Sequence, residues 1–189
     1  KSSHAVPFGK TDPILGQDIA FYVFQLPALE LVRTLVLLLI VVSLIGSAVL
    51  YFLSENLNIE PDKGLSIHPI AKRHLSLLGA AFFLLMAFGA YLDMHRLLLS
   101  PGGVIHGASY TDVYAELPAL RVLIGAAIFA AVLAVAQAFS TVRWLLVSGG
   151  VGYIVVSLAG SAYSVAIQRL LVAPNEQVRE TPFMVHNIE

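Results

Sequence analysis

The 189-residue chain has no cysteine. That excludes a disulfide framework, a zinc–thiolate centre and a cysteine nucleophile. Charge is scarce as well. Lys, Arg, Asp and Glu make up 12% of the residues, against roughly 25% in a soluble domain. So little charge cannot cover a water-facing surface of this size, which excludes an ordinary soluble domain. The net charge of −1 gives no global field that would favour nucleic acid. Catalytic signatures are missing too: there is no His-Glu-x-x-His, Gly-x-Ser-x-Gly or Gly-x-x-x-x-Gly-Lys. The six histidines are scattered and none forms an i,i+4 metal pair. No cofactor is expected. Apolar side chains, by contrast, are abundant: 58% of residues are hydrophobic and mean hydropathy is +0.82. That excludes disorder.

Four uncharged runs stand out: Thr34–Ser54, Leu75–Leu92, Val122–Val142 and Trp144–Gln168. A helix needs about 20 mostly apolar residues to cross a bilayer core of roughly 30 Å. Each run qualifies, the second narrowly. In lipid the backbone must satisfy its own hydrogen bonds, so such runs are helices. Between Val122 and Gln168 the single charge is Arg143. One straight helix of that length would reach about 70 Å, over twice the bilayer core, so the chain turns at Ser140-Thr141-Val142-Arg143. The expected fold is all-α integral membrane: four transmembrane helices, a short interfacial helix near Ile19–Leu26, and irregular extracytoplasmic loops.

We divide the chain into an extracytoplasmic and interfacial segment (1–27), a transmembrane domain (28–172) and the start of a truncated extracytoplasmic region (173–189). Asp18 is placed to cap the interfacial helix. Pro27 and Pro118 suit the first turn of the first and third spans. Pro61-Asp62-Lys63-Gly64 signals a turn. Lys1 is not a start residue, and the chain stops at Glu189 without a cap, so both ends read as cuts in a longer protein. No internal repeat stands out. Four spans place both ends and the 93–121 loop on one side. The short connections 55–74 and 140–143 lie on the other, with Lys63, Lys72, Arg73 and Arg143. Basic charge is denser there, which makes it the expected cytoplasmic side.

Lipid gives helices no hydrophobic reason to associate, so small residues that permit close approach matter. Ala126, Ala130, Ala134 and Ala138 share one face of the third span, and Ser148/Gly152 and Gly160/Ser164 form two small pairs in the fourth. These strips are expected to pack the two helices together; a homo-oligomer face is the alternative. Gln137 is expected to bridge helices. Asp93 and Arg96 are spaced to pair on one helix face. Lys72, Arg73 and His74 precede the second span as an interfacial anchor. The acids of the first side are the candidate cation ligands, chiefly Asp12, Asp18, Asp112 and Glu176. Arg33, Arg121, Arg169 and Arg179 are the basic groups available to neutralise them instead.

Several segments together resemble a known family. They are Phe8-Gly9-Lys10-Thr11-Asp12-Pro13, the stretch from Gln17 to Pro27, and Gly107-Ala108-Ser109-Tyr110-Thr111-Asp112-Val113. Pro174-Asn175-Glu176, Glu180-Thr181-Pro182-Phe183 and His186-Asn187-Ile188 complete the set. In this order they resemble uncharacterised protein family 0182, a family of large multi-pass membrane proteins of bacteria and archaea. The resemblance implies a run of N-terminal spans followed by a large extracytoplasmic region. This chain would hold the last spans and the first residues of that region, in the plasma membrane of a prokaryote. It carries over no catalytic residue. The expected function is a membrane anchor and assembly module for the extracytoplasmic domain in the cell envelope. A transporter or channel subunit is the alternative, and a membrane enzyme at the lipid–water boundary the second. The expected partners are the bilayer, the remaining spans and the extracytoplasmic domain of the parent protein, with no nucleic acid.

Overall fold

Apolar runs and their breaks set the architecture. The computed structural model describes residues 20–60, 64–97, 112–142 and 144–172. Four helices account for most of them: α1 (Leu26–Leu53), α2 (Pro69–Arg96), α3 (Leu117–Phe139) and α4 (Leu145–Ile167). All four are long and apolar enough to cross a membrane. α2 overruns its uncharged core, because Lys72 and Arg73 at one end and Asp93 and Arg96 at the other remain helical.

Pro27 and Pro118 each stand second in their helix. Each follows a π-helical segment, Phe21–Gln25 before α1 and Asp112–Glu116 before α3. The cause is local. A proline ring crowds the carbonyl four residues back and offers no N–H to it. In the wider π turn the Leu26 N–H donates to Phe21 O, five residues back. The expected interfacial helix is therefore not a separate element: it runs straight into α1 as a π turn. The two starts also match in sequence, Leu26-Pro27-Ala28-Leu29 against Leu117-Pro118-Ala119-Leu120. In both the leucine is buried and the proline exposed. This short repeat, invisible as a four-residue coincidence, becomes visible once both copies carry the same backbone device.

The connection from α1 to α2 adds a short hairpin to an otherwise all-helical fold. Leu57–Glu60 (β1) and Gly64–Ile67 (β2) pair antiparallel, with Leu57 opposite Ile67 and Glu60 opposite Gly64. The pairing flanks Pro61-Asp62-Lys63, which lie outside the described residues. His68 N–H to Asn56 O, at 2.8 Å, extends the ladder by a step. Glu55 makes the corner with φ of 59°, the left-handed conformation that commonly closes a helix. Ser54 helps by donating from Oγ to Leu50 O at 2.7 Å.

Contacts divide the chain into two units. The first holds Lys1–Thr34, Gly89–Arg121 and Ala159–Glu189; the second holds Leu35–Phe88 and Val122–Leu158. The core of the second is built on small residues of α3. Ala130 and Ala131 are buried against Phe83 of α2, with Phe82, Leu146 and Tyr153 around them. Phe83 meets Tyr153 edge-on, ring centroids 5.9 Å apart. Gly149 of α4 comes so close to α3 that a Cβ there would stand 3.1 Å from Ala130 Cα. In the first unit a Cβ at Gly160 of α4 would stand 3.2 Å from that of Ala119 in α3.

Candidate functional site

In the first unit the end of α2 meets the beginning of α1. His95 is buried, at 3% exposure. Its ring sits among Tyr91, Phe21 and Tyr22, with centroids at 4.7, 5.1 and 6.2 Å. Tyr91 is one turn back on α2; the other two belong to the π segment before α1. His95 Nδ1 lies 2.9 Å from Tyr91 O. A carbonyl only accepts, so Nδ1 carries the proton and donates, and in the neutral ring Nε2 is left as an acceptor. Leu26 of α1 and Leu92 and Met94 of α2 are buried as well.

Charged groups line the same helix pair. Arg96 Nε meets Glu30 Oε1 at 3.1 Å. This corrects the expected Asp93–Arg96 pairing: Arg96 reaches across to α1 rather than along its own helix. The pair is partly exposed, which limits its worth to about 0–1 kcal/mol. One turn further along α1, the Arg33 guanidinium fills the space that a Cβ on Gly89 of α2 would occupy. Arg33 Nε is buried and has no hydrogen-bond partner among the described residues. Glu30, three residues back, would be its natural counter-charge but is engaged by Arg96.

The second unit uses polar groups differently. Gln137 is buried in α3, at 7% exposure. Its Oε1 accepts from the Leu146 N–H at 2.8 Å. That N–H is one of the orphan donors in the first turn of α4, so Gln137 caps a neighbouring helix. Lys72 Nζ donates to Ser140 O just past the end of α3, where a cation complements the helix dipole. Tyr51 Oη and His74 Nδ1 share a hydrogen bond of 2.9 Å, while Arg73 is exposed. The basic triplet is thus divided: Lys72 and His74 bond within the protein, and Arg73 stays on the surface.

Of the candidate cation ligands, Asp12, Asp18 and Glu176 lie outside the described residues, as does Arg179. Asp112 opens the π segment before α3. Among the described residues no group of three or more His, Asp or Glu could hold a metal ion. Of the packing candidates, Ala130, Ala134 and Ala138 are buried, and Ala126 is half-buried. Ser164 is buried and Gly160 half-buried. Ser148 and Gly152 are different. Both are exposed, and a Cβ at Gly152 would meet nothing within 4 Å. The close approach falls one position along, at Gly149, because the phase of α4 is set by Leu146, Gly149 and Tyr153 facing inward. Sequence reasoning missed the Arg33–Gly89 seat. Its one signal was a lone charge just ahead of an uncharged run, and nothing in the sequence pairs that residue with Gly89.

A family model describing an uncharacterised protein family matches residues 1–189. The chain belongs to UPF0182. A UPF0182 protein of Cupriavidus necator is 41% identical over 191 residues, which cover 98% of this chain and 20% of that protein. One from Geobacter sulfurreducens is 36% identical over 187 residues, covering 98% and 21%. One from a Synechococcus strain is 35% identical over 205 residues, covering 98% and 24%. The chain thus spans about a fifth of the length of the curated UPF0182 relatives it matches. No solved structure matches it.

Proposed function

We propose that this part of the UPF0182 protein is a four-helix module that spans the plasma membrane of a prokaryote and anchors the remainder of a larger protein. Both ends and the 93–121 loop face the extracytoplasmic side in this reading. The β1–β2 hairpin and the 140–143 turn face the cytoplasm. The observation that carries it is the surface of α1. Leu31, Leu35, Leu38, Leu39, Val42, Ile45, Leu50 and Leu53 are all more than half exposed. Each large aliphatic side chain left in water forgoes about 1.5–3 kcal/mol of burial; hydrocarbon removes that cost. The placement of charge supports anchoring over ion-coupled transport. Charged side chains gather near helix ends, and Gln137, in the last turn of α3, spends its amide on a helix cap. Coupled transport asks for ionisable groups near the midplane.

The test uses the full-length protein carrying this chain. It should remain in the membrane pellet through alkaline carbonate extraction. Cysteines introduced at Ser66 and Ser109 should then differ toward an impermeant thiol reagent: Ser109→Cys reacts in intact cells and Ser66→Cys only after lysis. Release by carbonate would overturn the anchor, and the opposite labelling would invert the topology.

A further inference from the structure

Arg33 carries chemistry that an anchoring role leaves unused. Its guanidinium is a planar cation that presents five N–H donors in a fixed fork. It lies two turns into α1 from Leu26, about 10 Å along the helix axis. Its neighbours on α1, Leu31, Val32, Leu35 and Val36, are exposed and apolar. Its nearest carboxylate by spacing, Glu30, is held by Arg96. Its Nε is buried without an acceptor among the described residues. The α2 backbone makes room for it, since any side chain at position 89 would collide with the guanidinium. The guanidinium is seated against a glycine and one of its donors is buried and unpaired, so its charge calls for an anion from outside the described residues.

We propose that Arg33 on Gly89 is a binding seat for the phosphate of an anionic phospholipid that lies against α1. The proposal rests on the membrane reading above. Three features favour a lipid as the source of the anion. The guanidinium fork matches phosphate oxygens. The seat lies one turn beyond the Glu30–Arg96 pair, the depth at which headgroups meet acyl chains. Phe24 and Tyr114, both exposed in the π segments of the same unit, suit that boundary.

The full-length protein, purified in a neutral detergent, provides the test. Melting temperature and native mass spectra are followed with added phosphatidylglycerol, phosphatidylcholine or inorganic phosphate. Phosphatidylglycerol should bind and raise the melting temperature, and the other two should not. Arg33→Gln should weaken the apparent affinity for phosphatidylglycerol about tenfold or more. Arg121→Gln, an exposed arginine of the same unit, should leave it unchanged. Gly89→Ala keeps the charge and displaces the fork, so it should reproduce the loss even if Arg33→Gln fails to fold. Equal phosphatidylglycerol binding by wild type, Arg33→Gln and Gly89→Ala overturns the seat. An equal rise with inorganic phosphate overturns the lipid as its occupant. A wild type indifferent to lipid, with Arg33→Gln less stable in detergent alone, assigns the counter-charge to an acid elsewhere in the protein and also overturns the proposal. Carbonate extraction keeps the two readings apart: a protein retained in the membrane without lipid dependence loses only the Arg33 seat.

Discussion

α1 and α3 begin alike and end up in different surroundings. Each starts with Leu-Pro-Ala-Leu behind a π turn, and each continues, past Arg33 in α1 and Arg121 in α3, as an uncharged apolar helix. Yet no residue in the most apolar stretch of α1 is buried, while α3 buries Ala127, Ala130, Ala131, Ala134, Gln137 and Ala138. α1 is the more apolar of the two, so hydrophobicity does not decide which helix is packed. Side-chain size does. Leu, Val and Ile hold neighbours away from the α1 backbone, whereas alanines at three- and four-residue spacing let Gly149 come within van der Waals contact of α3. In a medium as apolar as the side chains, close backbone approach is what gains energy.

The comparison breaks most sharply where that approach is tightest. Gly149→Val or Ala130→Leu forces volume against backbone rather than against a yielding side-chain tip. Each should destabilise by about 1–3 kcal/mol, read as a lower melting temperature in detergent. An unchanged melting temperature for both would mean that α3 and α4 are not held by this contact. Gln137→Leu comes next. It keeps an apolar shape but strands the Leu146 N–H, at a cost of about 1–2 kcal/mol. Faster hydrogen exchange at Leu146 would identify the lost cap as the cause.

On α1 the expected effects are smaller and differ in sign. Gly46 has open space where a Cβ would go. Gly46→Ala should therefore stabilise by about 0.5–1 kcal/mol through the unfolded chain and helix propensity. Leu39 is 66% exposed, and Leu39→Ala should change stability by less than about 0.5 kcal/mol. A loss of about 2 kcal/mol or more in the full-length protein would show that another part of that protein packs on α1, and the contrast with α3 would close.

The helices were legible in the sequence because charge and apolar runs are one-dimensional signals. The turn at 140–143 followed from length alone. The β1–β2 hairpin was not legible. Its strands are too short for alternation to be distinguished from a loop, and only the Pro61–Gly64 turn signal hinted at it. At the site, Gln137 was readable as a bridge because a lone amide in an apolar helix must bond somewhere. Its partner, a backbone N–H, leaves no mark in composition. Arg33 on Gly89 lay beyond reach for a related reason. The two residues belong to different helices with the whole β1–β2 connection between them, and a glycine says only that space is free, not what fills it. The one-position error at Ser148/Gly152 shows the limit of counting small residues. Spacing names a strip but not the direction in which the helix turns it.

The Gln137 cap also bears on how the protein is made. Its partner, Leu146, follows closely in the chain, with only the 140–143 turn and the start of α4 between them. At roughly 5–20 residues per second of synthesis, the amide waits about half a second to two seconds for its partner. Both halves of the bond lie within one helical hairpin, so α3 and α4 can form together with this polar group already matched. The hairpin then needs no other helix to shelter its glutamine. The Arg33 seat is closed by a glycine far downstream, near the end of α2, so the first helix must wait for the second before its charge finds shelter.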